Sequence, residues 1–393
     1  MSAPAATPEA PMLLFGAPVG LYTGKTRSYL RKQGIAYEER LPTDRIFRKQ
    51  VLPVIQRFMN PVILTADGTI VQDTADIIDF CEATGRARFP SVPATPRQRI
   101  TALALDLWGG EGFTRPAMHF RWSFLPTNEA FLRHEFGLAY RAIGMDAAQA
   151  GMHLDAFMGY LSSYLPTLGI TPDTIPAVEQ AYDDALAVLD AHFRVQPYVL
   201  GGRPTCADFG LMAPLYAHLA RDPWPSMKMK QQAPSLWRWT ERMNACDGDM
   251  PEFPGTAPEL LANDEVPATL VAMLALMARD FLPELRAIVA CTDQWLAAHP
   301  GLAEGAPCTA SPSDRGFSNA RFDLRGVAVE AMAPVYTLCM LQRLTDAYDA
   351  LPAEDRERVR QLFAEAGAAD LLTLKASRRV ERRQHLEVWG PAA

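Results

Sequence analysis

The chain has 393 residues, a length that suggests two or three domains, and its 49% apolar and 21% charged residues fit a packed globular protein. A formal net charge of −7 argues against a general nucleic-acid binder with a large basic face. No zinc-finger, recognition-helix or RNA-binding signature accompanies it, so no nucleic-acid partner is expected.

The segment 1–11, "MSAPAATPEAP", is rich in Ala and Pro and lacks the charged start and apolar centre of a secretion signal. It reads as a disordered tail. Residues 12–86 then mix strand and helix signals. "MLLFGA" reads as a strand. "GKTRSYLRKQ" reads as a helix capped by Thr23 and ended by Gly34. "IAYEERL" alternates loosely, as a second strand does. "TDRIFRKQVLPVIQRFMN" is helical or irregular, cut by Pro53. "PVILTADGTIVQ" suggests two short strands around Asp67-Gly68, and "DTADIIDFCEA" a helix opened near Thr74.

Residues 87–97 carry prolines at 90, 93 and 96 and read as a linker. From Gln98 the pattern is helical. Ile100, Leu103, Ala104, Leu107 and Trp108 keep the spacing of an amphipathic helix. Three further helical runs follow, and Thr205 with Asp208 in "TCAD" forms a capping-box signature. An all-α domain over 98–246 is the expectation. After a second Pro- and Gly-rich break, 259–393 reads as a mainly helical extension, including "LRGVAVEAMAPVYTLCMLQRLTDAYDAL". Its basic end, "LKASRRVERRQHLEVW", reads as a strand or an exposed tail. The long apolar runs are too short or too interrupted to span a bilayer and read as core helices. The six cysteines fit neither a zinc spacing nor a small disulfide scaffold, so no metal is expected. Buried, reduced cysteines in a cytoplasmic protein are the plain reading.

A βαβ–α–ββα unit joined by a Pro-rich linker to an all-α domain resembles the glutathione transferases. "GKTRSYLRKQGIAYEE" is similar to the family's first helix and second strand. "NPVILTADGTIVQDTADIIDF" is similar to its glutathione-site segment, and "VLGGRPTCADFGLMAPLYAHL" to the capping box and buried helix of its second domain. The likeness covers roughly residues 12–245 and implies a thioredoxin-like domain, then a transferase-type helical domain. The extension matches no part of the common two-domain pattern, as in a long bacterial-type member.

The resemblance implies a cis bond before Pro61, with the main chain of Val62 pairing the cysteinyl part of glutathione. It implies that Asp73 meets the ammonium of the γ-glutamyl end and Thr74 its carboxylate. On the residues alone, Thr74 is equally a helix cap and Asp73 a residue that suits the helix dipole. The family's usual serine or cysteine falls on Gly20, which carries no reactive group. The hydroxyls left in that loop belong to Tyr22 and Thr23. Tyr22 is the candidate catalytic donor, or an aromatic ring packed under the domain interface, and Thr23 is the second candidate or a cap. Trp108, Phe113, Met118, Phe120 and Trp122, with Glu111, His119 and Arg121, read as a second-substrate pocket or as core. The cluster Lys375, Arg378, Arg379, Arg382 and Arg383 reads as a solvated basic face first, and as a contact for an anionic partner second.

The function these residues suggest is glutathione binding, with glutathione as co-substrate for conjugation to a small hydrophobic electrophile. The alternative is a non-catalytic protein of the same fold that binds a ligand or partner. A homodimer is implied by analogy only. A thiol–disulfide reductase would need a cysteine in the opening loop, which has none.

Overall fold

The computed structural model describes residues 11–246 and 248–392. Residues 1–10 of the expected tail lie outside them. Strand β1 (Met12–Phe15) leads through helix α1 (Leu21–Gln33) to β2 (Tyr37–Arg40). A π-helical turn (Phe47–Val51) and α2 (Leu52–Ile55) precede β3 (Val62–Leu64), β4 (Ile70–Gln72) and α3 (Thr74–Ala83). The strands form one sheet in the order β2-β1-β3-β4. Strand β1 runs parallel to β2, and the other pairs are antiparallel. This is the thioredoxin-like arrangement.

Alternation along the strands feeds two cores. Leu14 and Ile63 face Tyr29, Leu30, Ile77 and Ile78, while Phe15, Val62 and Leu64 face Phe47, Val51 and Ile55. Helix α1 has no wet face, because Lys25, Arg27, Ser28, Lys32 and Gln33 are buried too. Each of the first three has a fixed partner. Lys25 Nζ lies 2.6 Å from Asp106, Arg27 grips Glu39 at 2.8 and 2.6 Å, and Ser28 donates to the carbonyl of Met243 at 2.9 Å. Two of these three tie α1 to the second domain. The cap of α1 is Gly20, not Thr23, which lies inside the first turn. Gly34 ends the helix with φ +66°, in the left-handed region glycine favours.

The second domain is helical. Helices α4 (Pro96–Leu107) and α5 (Thr114–Trp122) are joined by a π-helical turn, Trp108–Gly112. Helices α6 (Leu125–Ala142), α7 (Ala147–Ser162), α8 (Ile175–Phe193), α9 (Cys206–Pro214), α10 (Pro223–Gln232) and α11 (Pro234–Asn244) follow. Where α4 and α9 cross, a Cβ on Gly210 would come 2.4 Å from Asp106 Oδ1, and one on Gly109 2.4 Å from the Leu211 nitrogen. Only glycine permits that approach. Thr205 and Asp208 form the expected capping box at α9. Asp208 accepts from the amides of Thr205 and Val199 at 2.9 and 3.0 Å and from the Trp239 indole at 3.2 Å. The α6–α7 pair packs Leu132, Leu154 and Met158 with Val19 of the β1–α1 loop.

The third part holds α12 (Ala268–Asp280), α13 (Leu282–Ala297), β5 (Gly316–Leu324), β6 (Val327–Pro334), α14 (Val335–Asp349), α15 (Ala353–Glu365), β7 (Arg378–Arg383) and β8 (Leu386–Ala392). It is mainly helical but also contains two antiparallel hairpins. The stretch expected as one helix, "LRGVAVEAMAPVYTLCML", is thus corrected: helix begins only at Val335. Upstream, Val329, Ala331 and Ala333 are buried at alternate positions, a strand period. Both hairpins turn on residue pairs with positive φ, Arg325-Gly326 and Gln384-His385. One apolar core runs from the sheet through the helical domain into this part. All six cysteines are free; Cys246 is exposed and Cys291 and Cys339 are only partly covered, which corrects the expectation of burial for these three. Among the described residues no helix is long and apolar enough to cross a membrane.

Candidate functional site

The β1–α1 loop brings Tyr22 and Thr23 into the first turn of α1. The Tyr22 hydroxyl donates to Glu111 Oε1 at 3.2 Å and lies 3.5 Å from the Gly110 carbonyl. Thr337, at the start of α14, donates to the other oxygen of Glu111 at 2.9 Å. Glu111 therefore joins all three parts of the chain. Burial pushes its carboxyl up to about 7, against the two hydroxyl hydrogen bonds that favour the charged form. Burial, with the charge of Glu111 next, pushes the Tyr22 phenol well above its ordinary value. Thr23 is buried and donates to Asn60 Oδ1 at 3.3 Å, which fastens the loop to the residue before Pro61.

The Asn60–Pro61 bond is cis. Val62 lies in register between Phe15 and Gln72, so its main chain faces a strand on each side rather than a free edge. The expected pairing through Val62 is corrected on that ground. Asn60, just outside the strand, is the residue next to the cis bond that borders the site.

Asp73 adopts φ +88° and ψ 149° between β4 and α3. Few residues other than glycine occupy this region. Its carbonyl accepts the first helical bond, from Ile77 at 2.9 Å, and its amide donates to the Pro61 carbonyl at 3.2 Å. Thr74 is buried as the first helical residue and donates to Asp73 Oδ1 at 3.4 Å. The structure thus gathers Pro61, Asp73 and Thr74 at one end of α3. The charge of Asp73 is felt at Tyr22 and Glu111, so the loop and the α3 junction share one electrostatic neighbourhood.

The extension covers this junction. Arg382 of β7 lies 3.5 Å from Asp73 and 3.0 Å from Asp76. It also lies 3.1 Å from Glu387 and 3.1 Å from Gln72 Oε1. Arg57 meets Glu387 through both terminal nitrogens, at 2.7 and 3.0 Å, and Arg343 meets Asp79 at 2.6 and 2.9 Å. The Tyr336 hydroxyl is buried without a hydrogen-bond partner of ordinary length. Burial and then the charge of Asp73 drive its pKa well up. Burial raises the Asp76 carboxyl to about 6 despite the opposing pull of Arg382. The expectation of a solvated basic face therefore fails for Arg382. Sequence reasoning missed Arg382, Tyr336 and Thr337 as site neighbours, because nothing local ties a residue near 380 to one near 73.

The aromatic run after α4 separates into different environments. Trp108 and Phe113 line a cavity of about 40 Å³, room for little more than water. Phe120 stacks on Phe124 and Trp224, and Trp122 on Phe136. Arg121 is buried against Asp222 at 2.6 and 2.8 Å, and His119 lies between Glu179 and Ser123, 2.9 Å from each. This is core. An open groove of about 530 Å³, lined by Pro18, Leu41, Leu138 and Arg141 among others, lies instead between the opening loop and α6.

Residues 172–242 match the family model for the glutathione S-transferase C-terminal domain. No curated protein matches the chain. Among solved structures, the chain is similar to beta-etherase LigF from Sphingobium sp. strain SYK-6, with 16% identity over 60% of this chain and 95% of that one and a TM-score of 0.41. It is similar to glutathione transferase GSTFuA3 from Phanerochaete chrysosporium, with 15% identity over 61% and 98% and a TM-score of 0.41. A third is a glutathione S-transferase from Methylobacterium radiotolerans JCM 2831 in complex with glutathione sulfonate, with 17% identity over 66% and 100% and a TM-score of 0.34.

Proposed function

We propose that this chain, whose second domain belongs to the glutathione S-transferase family, binds glutathione where Pro61, Asp73 and the N-terminus of α3 meet. The observation that carries the reading is the backbone of Asp73. A non-glycine residue at φ +88° is held against a cost of about 1–3 kcal/mol, and such strain clusters where a group is aimed at a ligand. Here it sets one carboxylate beside a helix N-terminus. Asp73 suits an ammonium group. Thr74 and the first amides of α3 suit a carboxylate. The γ-glutamyl end of glutathione carries both groups on one carbon. Pro61 borders the cysteinyl part, with Asn60 in place of Val62 as its main-chain neighbour.

Three observations favour binding without conjugation. Gly20 has no reactive group, the Tyr22 proton is directed at Glu111, and Thr23 is directed at Asn60. In this reading Tyr22 and Thr23 hold the loop rather than activate a thiol. A small hydrophobic ligand would take the groove beside Pro18 and Leu138.

Calorimetry with glutathione at high concentration tests the site. Wild type binds, and Asp73→Asn and Thr74→Ala each weaken binding by about tenfold, the worth of one charge-assisted contact. No heat in wild type, nor in Arg382→Ala, which frees Asp73 of its ion pair, refutes the reading. A conjugation assay with a chlorodinitrobenzene electrophile is expected to run at the buffer rate. A faster rate that drops in Tyr22→Phe returns the catalytic role to Tyr22. Light scattering decides whether the protein is a homodimer.

A further inference from the structure

We propose that Arg382 is an internal competitor for the ammonium group of the ligand, so that the β7–β8 hairpin must lift before glutathione is seated. The proposal rests on the glutathione reading above. Any group that pairs with Asp73 from the open side of α3 meets Arg382 there. Its guanidinium lies 3.5 Å from Asp73, 3.0 Å from Asp76 and 3.1 Å from Gln72 Oε1. A second cation at Asp73 would face a like charge at close range, an unfavourable arrangement at the low effective dielectric of a covered site. Ammonium and guanidinium therefore exclude one another.

The way the hairpin is anchored argues for a gate rather than a permanent plug. Its apolar anchors belong to the extension. Trp389 is buried against Trp295 and Phe317, each with ring centres 5.6 Å away, and the Val380 main chain exchanges hydrogen bonds with Gln342 of α14 at 2.7 and 2.8 Å. Its ties to the first domain are charged: Arg382 to Asp73 and Asp76, and Glu387 to Arg57. When this boundary opens the charged groups on both sides regain water, which offsets the lost pairing, whereas pulling Trp389 free would expose apolar surface with no such compensation. The boundary with the first domain is thus the side that parts. The Tyr336 hydroxyl is buried beside Asp73 and has no hydrogen-bond partner of ordinary length, so it can turn to a group that replaces Arg382.

The test is titration calorimetry of the full chain with glutathione and with N-glutaryl-cysteinylglycine, which lacks the amine. Wild type, Arg382→Ala and Arg382→Gln are compared, with circular dichroism and melting curves to establish folding. The glutamine variant keeps a polar side chain of similar reach where alanine fails to fold. If the seat is open in a tenth of molecules or fewer, freeing it tightens glutathione by about tenfold or more. Preference for glutathione over the analogue is expected to widen by a similar factor, because Asp73 is freed for the amine. Equal gains for both ligands overturn Arg382 as the amine's competitor. Unchanged affinities, with glutathione still bound, overturn the gate and leave the glutathione site standing. No glutathione binding to any of the folded proteins refutes the glutathione reading and the gate with it.

Discussion

Replacing Glu111 with Gln isolates the proton held between Tyr22 and Thr337. Burial raises this carboxyl from 4.5 to about 7, a gap equivalent to about 3 kcal/mol. The folded value lies above the unfolded one, so the folded state holds the proton more tightly. The contribution of Glu111 to stability is full below pH 4.5, falls as pH rises towards 7, and is constant above that. Glutamine does not titrate. It accepts through one oxygen where Glu111 accepts from Tyr22 and Thr337 through two, so it forfeits about 1 kcal/mol at every pH. At pH 5 the two proteins are close in stability; at pH 8 the variant is the more stable one, by about 2 kcal/mol. Melting temperatures at the two pH values provide the assay. For a chain of this size the gap between variant and wild type shifts by roughly 3–5 °C between pH 5 and 8. Asp76 and Asp208 titrate in both proteins and cancel from the difference. A gap that stays constant within about 1 °C refutes the buried proton.

Asp208→Ala leaves the Thr205 and Val199 amides and the Trp239 indole without their acceptor inside the second domain. A loss of about 3–5 kcal/mol, or failure to yield soluble protein, is expected in denaturant unfolding, and a loss under 1 kcal/mol would contradict the network. Gly210→Ala places its Cβ 2.6 Å from Asp106 Cα and pries α9 from α4. It should lower stability by about 1–3 kcal/mol, whereas Gly151→Ala, in open space on α7, should melt within a degree or two of wild type.

The first domain and the capping box were legible because their signals are local. A short apolar run, a helix closed by Gly34 and an Asp-Gly turn each sit within a few residues of their consequence. The same holds for the Asp73-Thr74 helix opening. The hairpins were legible only in part: the basic end reads as a strand or a tail and forms β7 and β8, but neither turn shows in the sequence. Arg325-Gly326 and Gln384-His385 lack the Asn-Gly or Asp-Gly signature of a two-residue turn, although both pairs adopt positive φ. "VAVEAMA" is a short apolar run of the kind that period alone does not assign. The aromatic residues after α4 kept helical spacing, and that spacing fits a core face as well as a pocket. The cover over Asp73 was beyond reach for another reason. Arg382 reaches Gln72 across 310 positions, and no propensity or motif encodes such a separation.

That separation also orders events during synthesis. Domains emerging from the ribosome fold first from the N-terminal side. Arg57, only 3% exposed in the finished protein, has Glu387 as its carboxylate partner, 330 positions later. Until β7 and β8 are made, its guanidinium has Gln72 but no counter-ion from β8, and Asp73 stands clear of Arg382. The nascent first domain therefore passes through a stage in which its acidic helix end is uncovered.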